Sequence, residues 1–350
     1  DNILYNWGFG YENDSSDNID KIKELKGKPL WYSENESTYQ YGFIQSTNST
    51  GGGINTTRYL IDNVAVLLPL IENYYQESPG EKRDGAKEVL ETQFELLNTS
   101  QFWDKPIYGG FFHYNNSDVK YAHENFLAVL ANILWHRYAD ANLTYKDESL
   151  DFASNTISNL SSSEMWDSVF KGFYYKANQD WSIYGGDNQK YLKTNALGII
   201  ALTEYYIETG STNDTAIDMA ETIYQKIKAN LYNETYGGYE KSGQNTWFTS
   251  NYSLMLEDNA WFLMALTRLF KATSKEEYYD DAIDLFQFFE THMYDDENGG
   301  YIYSIGPPNN ITDKHIFANN LLIRAYHEMS EIFHNTELKG NLNDTLLIKG

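Results

Sequence analysis

The sequence predicts an all-α fold: an (α/α) toroid of five to six helical hairpins with short β-hairpin turns between units, spanning residues 1–350 as one domain. Three observations predict it. A Gly-aromatic turn recurs with its last glycine at 42, 110, 172, 238 and 300. An asparagine recurs at 63, 125, 195, 259 and 320. Between these marks lie apolar residues at helical spacing, first in a strongly apolar stretch and then in a more amphipathic one. Units that each leave one face uncovered must stack on one another, as an open solenoid or a closed ring.

The turns read Tyr41-Gly42-Phe43, Tyr108-Gly109-Gly110-Phe111, Phe170-Lys171-Gly172-Phe173, Tyr236-Gly237-Gly238-Tyr239 and Asn298-Gly299-Gly300-Tyr301. Most follow an aromatic-Asx pair: Trp103-Asp104, Trp166-Asp167, Tyr232-Asn233 and Tyr294-Asp295. Glycine supplies positive φ there, so each block predicts a tight β-hairpin. The repeated asparagine opens helices expected near 56–77, 119–139, 190–209, 254–273 and 313–334. These are apolar round most of their circumference and should be inner and buried. More amphipathic helices are expected near 82–98, 145–160, 212–231 and 275–291, with Tyr278, Ala282, Leu285 and Phe288 marking the buried stripe of the last. A short helix near 17–27 supplies a fifth outer partner, whose presence favours ring closure. An aromatic N-terminal arm (1–16) and a tail (335–350) flank the repeats at 17–334.

Composition narrows the function classes. A net charge of −24 disfavours nucleic acid and anionic membranes as partners. No apolar run approaches the roughly 20 residues that span a bilayer, so no membrane insertion is expected. Cysteine is absent, which removes disulfides, zinc thiolates and thiol nucleophiles. Thirteen N-x-Ser/Thr sequons occur, at Asn13, Asn35, Asn48, Asn55, Asn98, Asn115, Asn142, Asn159, Asn213, Asn233, Asn251, Asn310 and Asn343. Chance would give roughly five, so the expected setting is secreted or cell-surface, with N-glycans in turns. The start at Asp1, in a polar aromatic segment, is what a processed mature protein would show.

Leu256-Glu257-Asp258-Asn259-Ala260-Trp261, followed by Met293-Tyr294-Asp295 and Asn298-Gly299-Gly300-Tyr301, resembles the helical part of thioredoxin-domain-containing proteins in the N-acylglucosamine 2-epimerase superfamily. Lys193-Thr194-Asn195-Ala196-Leu197 is similar to another helix start of that group. The resemblance runs from about 56 to 334 and implies the toroid and a superfamily of sugar epimerases and isomerases, with six-hairpin glycosidases as fold relatives. Five hairpins are counted where those have six, and no thioredoxin module is present.

A residue repeated in every copy is expected to be scaffold, so chemistry should sit where the copies differ. The candidates are the polar residues just before the repeated asparagine: Asp62, His123, Glu124, Lys193, Glu257 and Asp258, with His315 at the start of the fifth inner helix. Helix N-termini attract anions and hydroxyls there. The asparagine and its acidic neighbour are expected to cap the helix or to tie it to the adjoining turn. Trp103, Trp166, Trp181, Trp261 and Tyr239 are the aromatic candidates for binding a sugar or glycan.

Three functions fit. Glycoside hydrolysis needs two carboxyl groups about 5 Å apart for retention or roughly 6.5–9.5 Å apart for inversion; Asp62, Glu124, Glu257 and Asp258 are the pool, and Glu257-Asp258 is the nearest match to the adjacent aspartates of α-1,6-mannanase toroids. A structural subunit of a surface layer or filament would self-assemble through the N-terminal arm. A sugar epimerase needs two acid–base groups facing one sugar, in that family two histidines, for which His123 and His315 are candidates. No P-loop, G-x-G-x-x-G or H-E-x-x-H is present, and the acidic turn Asp295–Asn298 lacks EF-hand spacing, so neither cofactor nor metal is expected.

Overall fold

The computed structural model describes residues 57–104, 108–186, 188–249, 253–307 and 310–333. The expected arm, the helix near 17–27, the turn at Tyr41-Gly42-Phe43 and the tail lie outside the described residues, as do sequons Asn13, Asn35, Asn48, Asn55, Asn251 and Asn343. The chain divides into two compact units. The first runs to Met165 and includes Lys176–Gly185; the second holds Trp166–Tyr175 and the chain from Gly186 onward.

In the first unit the order is α1 (Leu60–Gln76), α2 (Glu81–Leu97), β1 (Val119–Tyr121), α3 (Ala122–Tyr138), α4 (Lys146–Ser162) and β2 (Lys176–Asn178). Helix α1 packs on α2 and α3, and α3 on α4. Strands β1 and β2 pair antiparallel, Val119 opposite Asn178. The second unit runs β3 (Lys190–Tyr191), α5 (Leu192–Glu208), α6 (Asp214–Leu231), β4 (Tyr232–Asn233), β5 (Gly238–Tyr239), β6 (Ser242–Gly243), β7 (Leu254–Met255), α7 (Leu256–Thr273), α8 (Glu276–Phe288), a π-turn (Phe289–Met293), β8 (Ser304–Ile305) and α9 (Ile316–Phe333). Within it α5 packs on α6 and α7, and α7 on α8 and α9. The strands pair antiparallel as β3–β6, β4–β5 and β7–β8.

The two helix kinds differ as their sequences require. In α3 every residue from Ala122 to Trp135 is buried, as an apolar circumference demands. Helix α6 instead buries one stripe, Ala216, Ile217, Ala220, Ile223, Tyr224, Ile227 and Leu231, at three- and four-residue spacing. Its start is capped by Asn213, whose side chain accepts from the Ala216 N–H.

The repeated asparagine is a clasp and not an N-cap. Asn259 Oδ1 accepts from Tyr239 N–H at 2.8 Å, while its Nδ2 donates to Tyr239 O at 2.9 Å and to Met255 O at 3.0 Å. Asn125 does the same with Phe111 and Tyr121, Asn195 with Phe173 and Tyr191, and Asn319 with Tyr301 and His315, so in the fifth copy the clasp falls on Asn319, one residue before the expected Asn320. The side-chain amide thus acts as one residue of antiparallel ladder, satisfying both backbone groups of the aromatic that follows the turn glycine. The turns are the expected hairpins: Trp103 bridges Phe111, Trp166 bridges Phe173, Tyr232 pairs with Tyr239 and Tyr294 bridges Tyr301.

A lysine five residues before the clasp asparagine reinforces the turn. Lys120 is fully buried, with Nζ 2.8 Å from Asp104 and bonded to Gly109 O and Gln179 O. Lys190 repeats this with Asp167 at 2.8 Å and Asn245 O at 2.5 Å. Lys314 reaches Asp295 at 2.6 Å in a more exposed copy. Trp181 and Trp247 close the buried pairs. They lie so near Gly110 (φ +76°) and Gly172 (φ +95°) that a Cβ there would meet the indoles at 2.2 and 2.4 Å. Where the turn carries Asn233 instead of an aspartate, the lysine position is Leu254, so acid and base are lost together.

Adjacent copies place equivalent positions side by side. Glu204, Arg268 and Glu328 each lie nine residues beyond the clasp asparagine. Arg268 takes both oxygens of Glu328 in a fork at 2.9–3.0 Å and also bonds Glu204. This triad, buried at Glu204 and half-buried at Arg268 and Glu328, links α5, α7 and α9.

Among the described sequons Asn142 and Asn310 are exposed. Asn159 lies inside α4 and donates from Nδ2 to Asn155 O, and Asn233 donates to Glu240, so a glycan would compete with these bonds. Asn98, Asn115 and Asn213 are half-buried, and the last two accept backbone bonds.

Candidate functional site

Helices α1, α3, α5 and α7 begin without a side-chain cap, after an extended Tyr59, Tyr121, Tyr191 or Met255. The first N–H of three of them is taken by the residue three beyond a turn glycine: Leu60 by His113 O, Leu192 by Lys241 O and Leu256 by Tyr303 O. That contact sets a second register of residues beside the helix starts. It is occupied by His113, Tyr175, Lys241 and Tyr303, and so varies between copies.

In the second unit the helix starts of α5, α7 and α9 gather one polar cluster. Lys193 Nζ lies 2.5 Å from Glu257 Oε1, both half-buried. Their separation of 64 residues is one repeat, so the pair joins equivalent positions on neighbouring helices. Burial alone would lower the Lys193 ammonium, but the Glu257 carboxylate outweighs it and raises it. Asp258, next in the chain, is 7% exposed. No described residue hydrogen-bonds its carboxyl group. Burial pushes that carboxyl up to about 7, Glu257 adds to the rise, and Lys193 and Lys241 oppose it. Tyr303 is also raised, by burial and by the charges of Glu257 and Asp258. Its ring stacks on exposed His315, centroids 3.7 Å apart at 15°. Asp258, Lys193–Glu257, Tyr303 and His315 therefore form one group.

The first unit holds a different arrangement. His113 Nδ1 lies 2.9 Å from both carboxylate oxygens of Glu124, which is 2% exposed. The His113 ring meets Tyr121 at 4.4 Å, Tyr59 at 5.1 Å and Tyr114 at 5.6 Å. Asp62 is half-buried; burial raises its carboxyl, and His113 lies near enough to oppose the rise when its imidazole is protonated. His123 is buried, edge-on to Tyr121 at 5.7 Å.

The aromatic candidates are mostly core. Trp103 packs between Phe111 and Phe152. Trp181 covers Gly110 and donates to Tyr108 O. Trp261 is buried in α7, and Tyr239 packs edge-on to Phe262. Trp166 is half-buried against Phe173. Burial gives the first four a packing role and leaves their faces closed to a ligand. Sequence reading missed Tyr303 as a site neighbour and His113 as the partner of Glu124. The signal was present in the register three residues past the turn glycine, where the copies differ.

No protein-family model matches the chain. The cellobiose 2-epimerase of Dictyoglomus turgidum is 28% identical over 253 residues, covering 67% of this chain and 63% of that protein, so the match spans less than two thirds of the relative's length. Among solved structures, a sugar epimerase from a ruminal bacterium superposes with a TM-score of 0.72 at 12% identity, over 93% of this chain and 84% of its own. A D-mannose isomerase gives 0.72 at 15% identity, over 94% and 85%. A family 76 α-mannanase of Bacteroides thetaiotaomicron gives 0.70 at 16% identity, over 95% and 83%. The narrower resemblance to thioredoxin-domain-containing proteins finds no support in these likenesses. What they show is the fold predicted from the repeat, the mainly helical (α/α) toroid that these epimerases and mannanases share.

Proposed function

We propose that the chain is a sugar-transforming enzyme that moves a proton at the carbon beside an aldose carbonyl, as a 2-epimerase or an aldose–ketose isomerase. The observation that carries this reading is Asp258: a buried carboxyl group, without a hydrogen-bond partner among the described residues and pushed to about 7. A group poised near neutral pH is suited both to take and to return a proton. Lys193, oriented by Glu257, has further N–H donors for the carbonyl oxygen, where negative charge develops as the C2 proton leaves. His315, stacked on Tyr303, is the second acid–base group of the cluster and would protonate the enediol from its other face. The curated likeness to an epimerase supports this chemistry over hydrolysis. So does the geometry: Glu257 is engaged by Lys193, which leaves Asp258 as the carboxyl of the two that has no hydrogen-bond partner among the described residues.

The test is incubation with glucose, mannose and cellobiose in D2O, followed by NMR. The expected result is deuterium at C2 with interconversion of the epimers or the ketose, slowed about 10²–10⁴-fold by Asp258→Asn. No exchange at C2, or sugar release from α-mannan without exchange, would contradict the proposal. An extracellular site of action, expected from the sequons, would place glycans first on exposed Asn142 and Asn310; peptide mapping of the native protein checks this.

A further inference from the structure

The Asp258 cluster leaves the His113–Glu124 pair of the first unit without a role. Its construction is specific. Glu124 is 2% exposed and sits with both oxygens 2.9 Å from His113 Nδ1. In the neutral imidazole a carboxylate on Nδ1 holds the proton on that nitrogen and leaves the lone pair on Nε2. Among the described residues nothing hydrogen-bonds Nε2, and the side chain is 23% exposed. The imidazole thus offers one oriented acceptor to an incoming group.

Its surroundings define what that group is attached to. Tyr59, Tyr114 and Tyr121 stand round the imidazole at 4.4–5.6 Å, and Tyr59 meets Tyr114 at 5.7 Å. Tyr114 is exposed, and Tyr59 and Tyr121 are half-buried. Tyrosine gives an apolar ring face with a wet hydroxyl at its edge, which fits a ligand apolar on one face and polar at its rim. Two carboxyl groups, Glu124 and Asp62, disfavour an anion here. Lys176, the lysine over the Tyr121 ring at 5.4 Å, is drawn to Tyr184 at 3.6 Å. An ammonium ligand finds Glu124 already bound to His113.

We propose that His113, Tyr59, Tyr114 and Tyr121 form a binding site for a neutral polyhydroxylated ring, with His113 Nε2 accepting from one ligand hydroxyl and the tyrosine rings packing on the C–H face. The choice of a sugar as ligand rests on the sugar-active reading above; the site itself rests on this geometry.

The experiment is a histidine-ring ¹H–¹⁵N NMR titration of the full chain with glucose, mannose and cellobiose, and with choline as the cationic control. The expected result is a saturable shift of the His113 Nε2 signal with at least one sugar and none with choline. Tyr114→Ala weakens the apparent affinity by about fivefold, and Glu124→Gln alters the tautomer signature and weakens it further. Asp258→Asn, which slows turnover in the proposed function, keeps the His113 shift. Turnover with an unmoved His113 signal overturns this inference and leaves the proposed function standing. A His113 shift without turnover does the reverse. A shift with choline alone assigns the site to cations and overturns the sugar reading.

Discussion

Glu124 and Asp258 occupy the same place in two copies of one repeat, directly before the clasp asparagine, yet they meet different fates. Glu124 is bound through both oxygens to His113, three residues past its own turn glycine. Asp258 has Lys241 at the corresponding place, three residues past Gly238; it has no hydrogen-bond partner among the described residues, and burial pushes it to about 7 although the Lys241 charge opposes the rise. One backbone register thus yields a paired carboxylate in one unit and a proton-exchanging one in the other. Elsewhere the copies agree: Asn125, Asn195, Asn259 and Asn319 make the same three bonds. The difference separates positions that hold the fold from positions free to carry chemistry.

The sharpest way to break this division is to remove a clasp. Asn259→Ala leaves the buried N–H and C=O of Tyr239 without partners, and each orphaned group costs about 1–3 kcal/mol. A loss of about 4 kcal/mol in chemical denaturation is expected. A loss under about 1 kcal/mol would mean that the asparagine is not scaffold.

Next in size is the buried Lys190–Asp167 pair. Lys190→Leu alone leaves Asp167 buried without its cation, which costs roughly 3 kcal/mol or more. The copy carrying Asn233 and Leu254 shows a turn built with neither charge. The double variant Lys190→Leu/Asp167→Asn should therefore recover at least about half of the loss. Additive losses would show that the two positions are not coupled.

The smallest stability effect belongs to the site. The folded state holds a proton on Asp258 that the unfolded chain releases near pH 4, so stability falls as pH rises from about 4 to about 7. A shift of this kind is worth at most about 4 kcal/mol, and about 2 after relaxation. Asp258→Asn removes that slope. It should unfold at a higher temperature than the parent at pH 8, with little difference at pH 4, even as it loses activity. Equal gains at both pH values would remove Asp258 as the source.

Much of the scaffold was legible in the sequence because every copy must meet the same backbone demands. Five inner and four outer helices lie where the periodicity places them among the described residues; α7, for example, is expected near 254–273 and runs Leu256–Thr273. The site was legible as a location but not as chemistry. Lys193 and Glu257 both precede the clasp by two residues, but their pairing follows only once α5 and α7 are known to pack side by side. His113 and Glu124 meet because the β-turn folds back on the helix start, which residue spacing alone does not reveal. Aromatic content misled: Trp103, Trp181 and Trp261 are large enough to bind sugars, but they fill the interior behind the turns.

The account turns on Asp258, and a ¹³C-detected carboxyl titration of the intact protein addresses it directly. The predicted midpoint is close to 7, far from the roughly 3.9 of an unperturbed aspartate. A midpoint in that ordinary range would show the carboxyl to be solvated or paired like its counterpart in the first unit, and would contradict its assignment as the proton-transfer group.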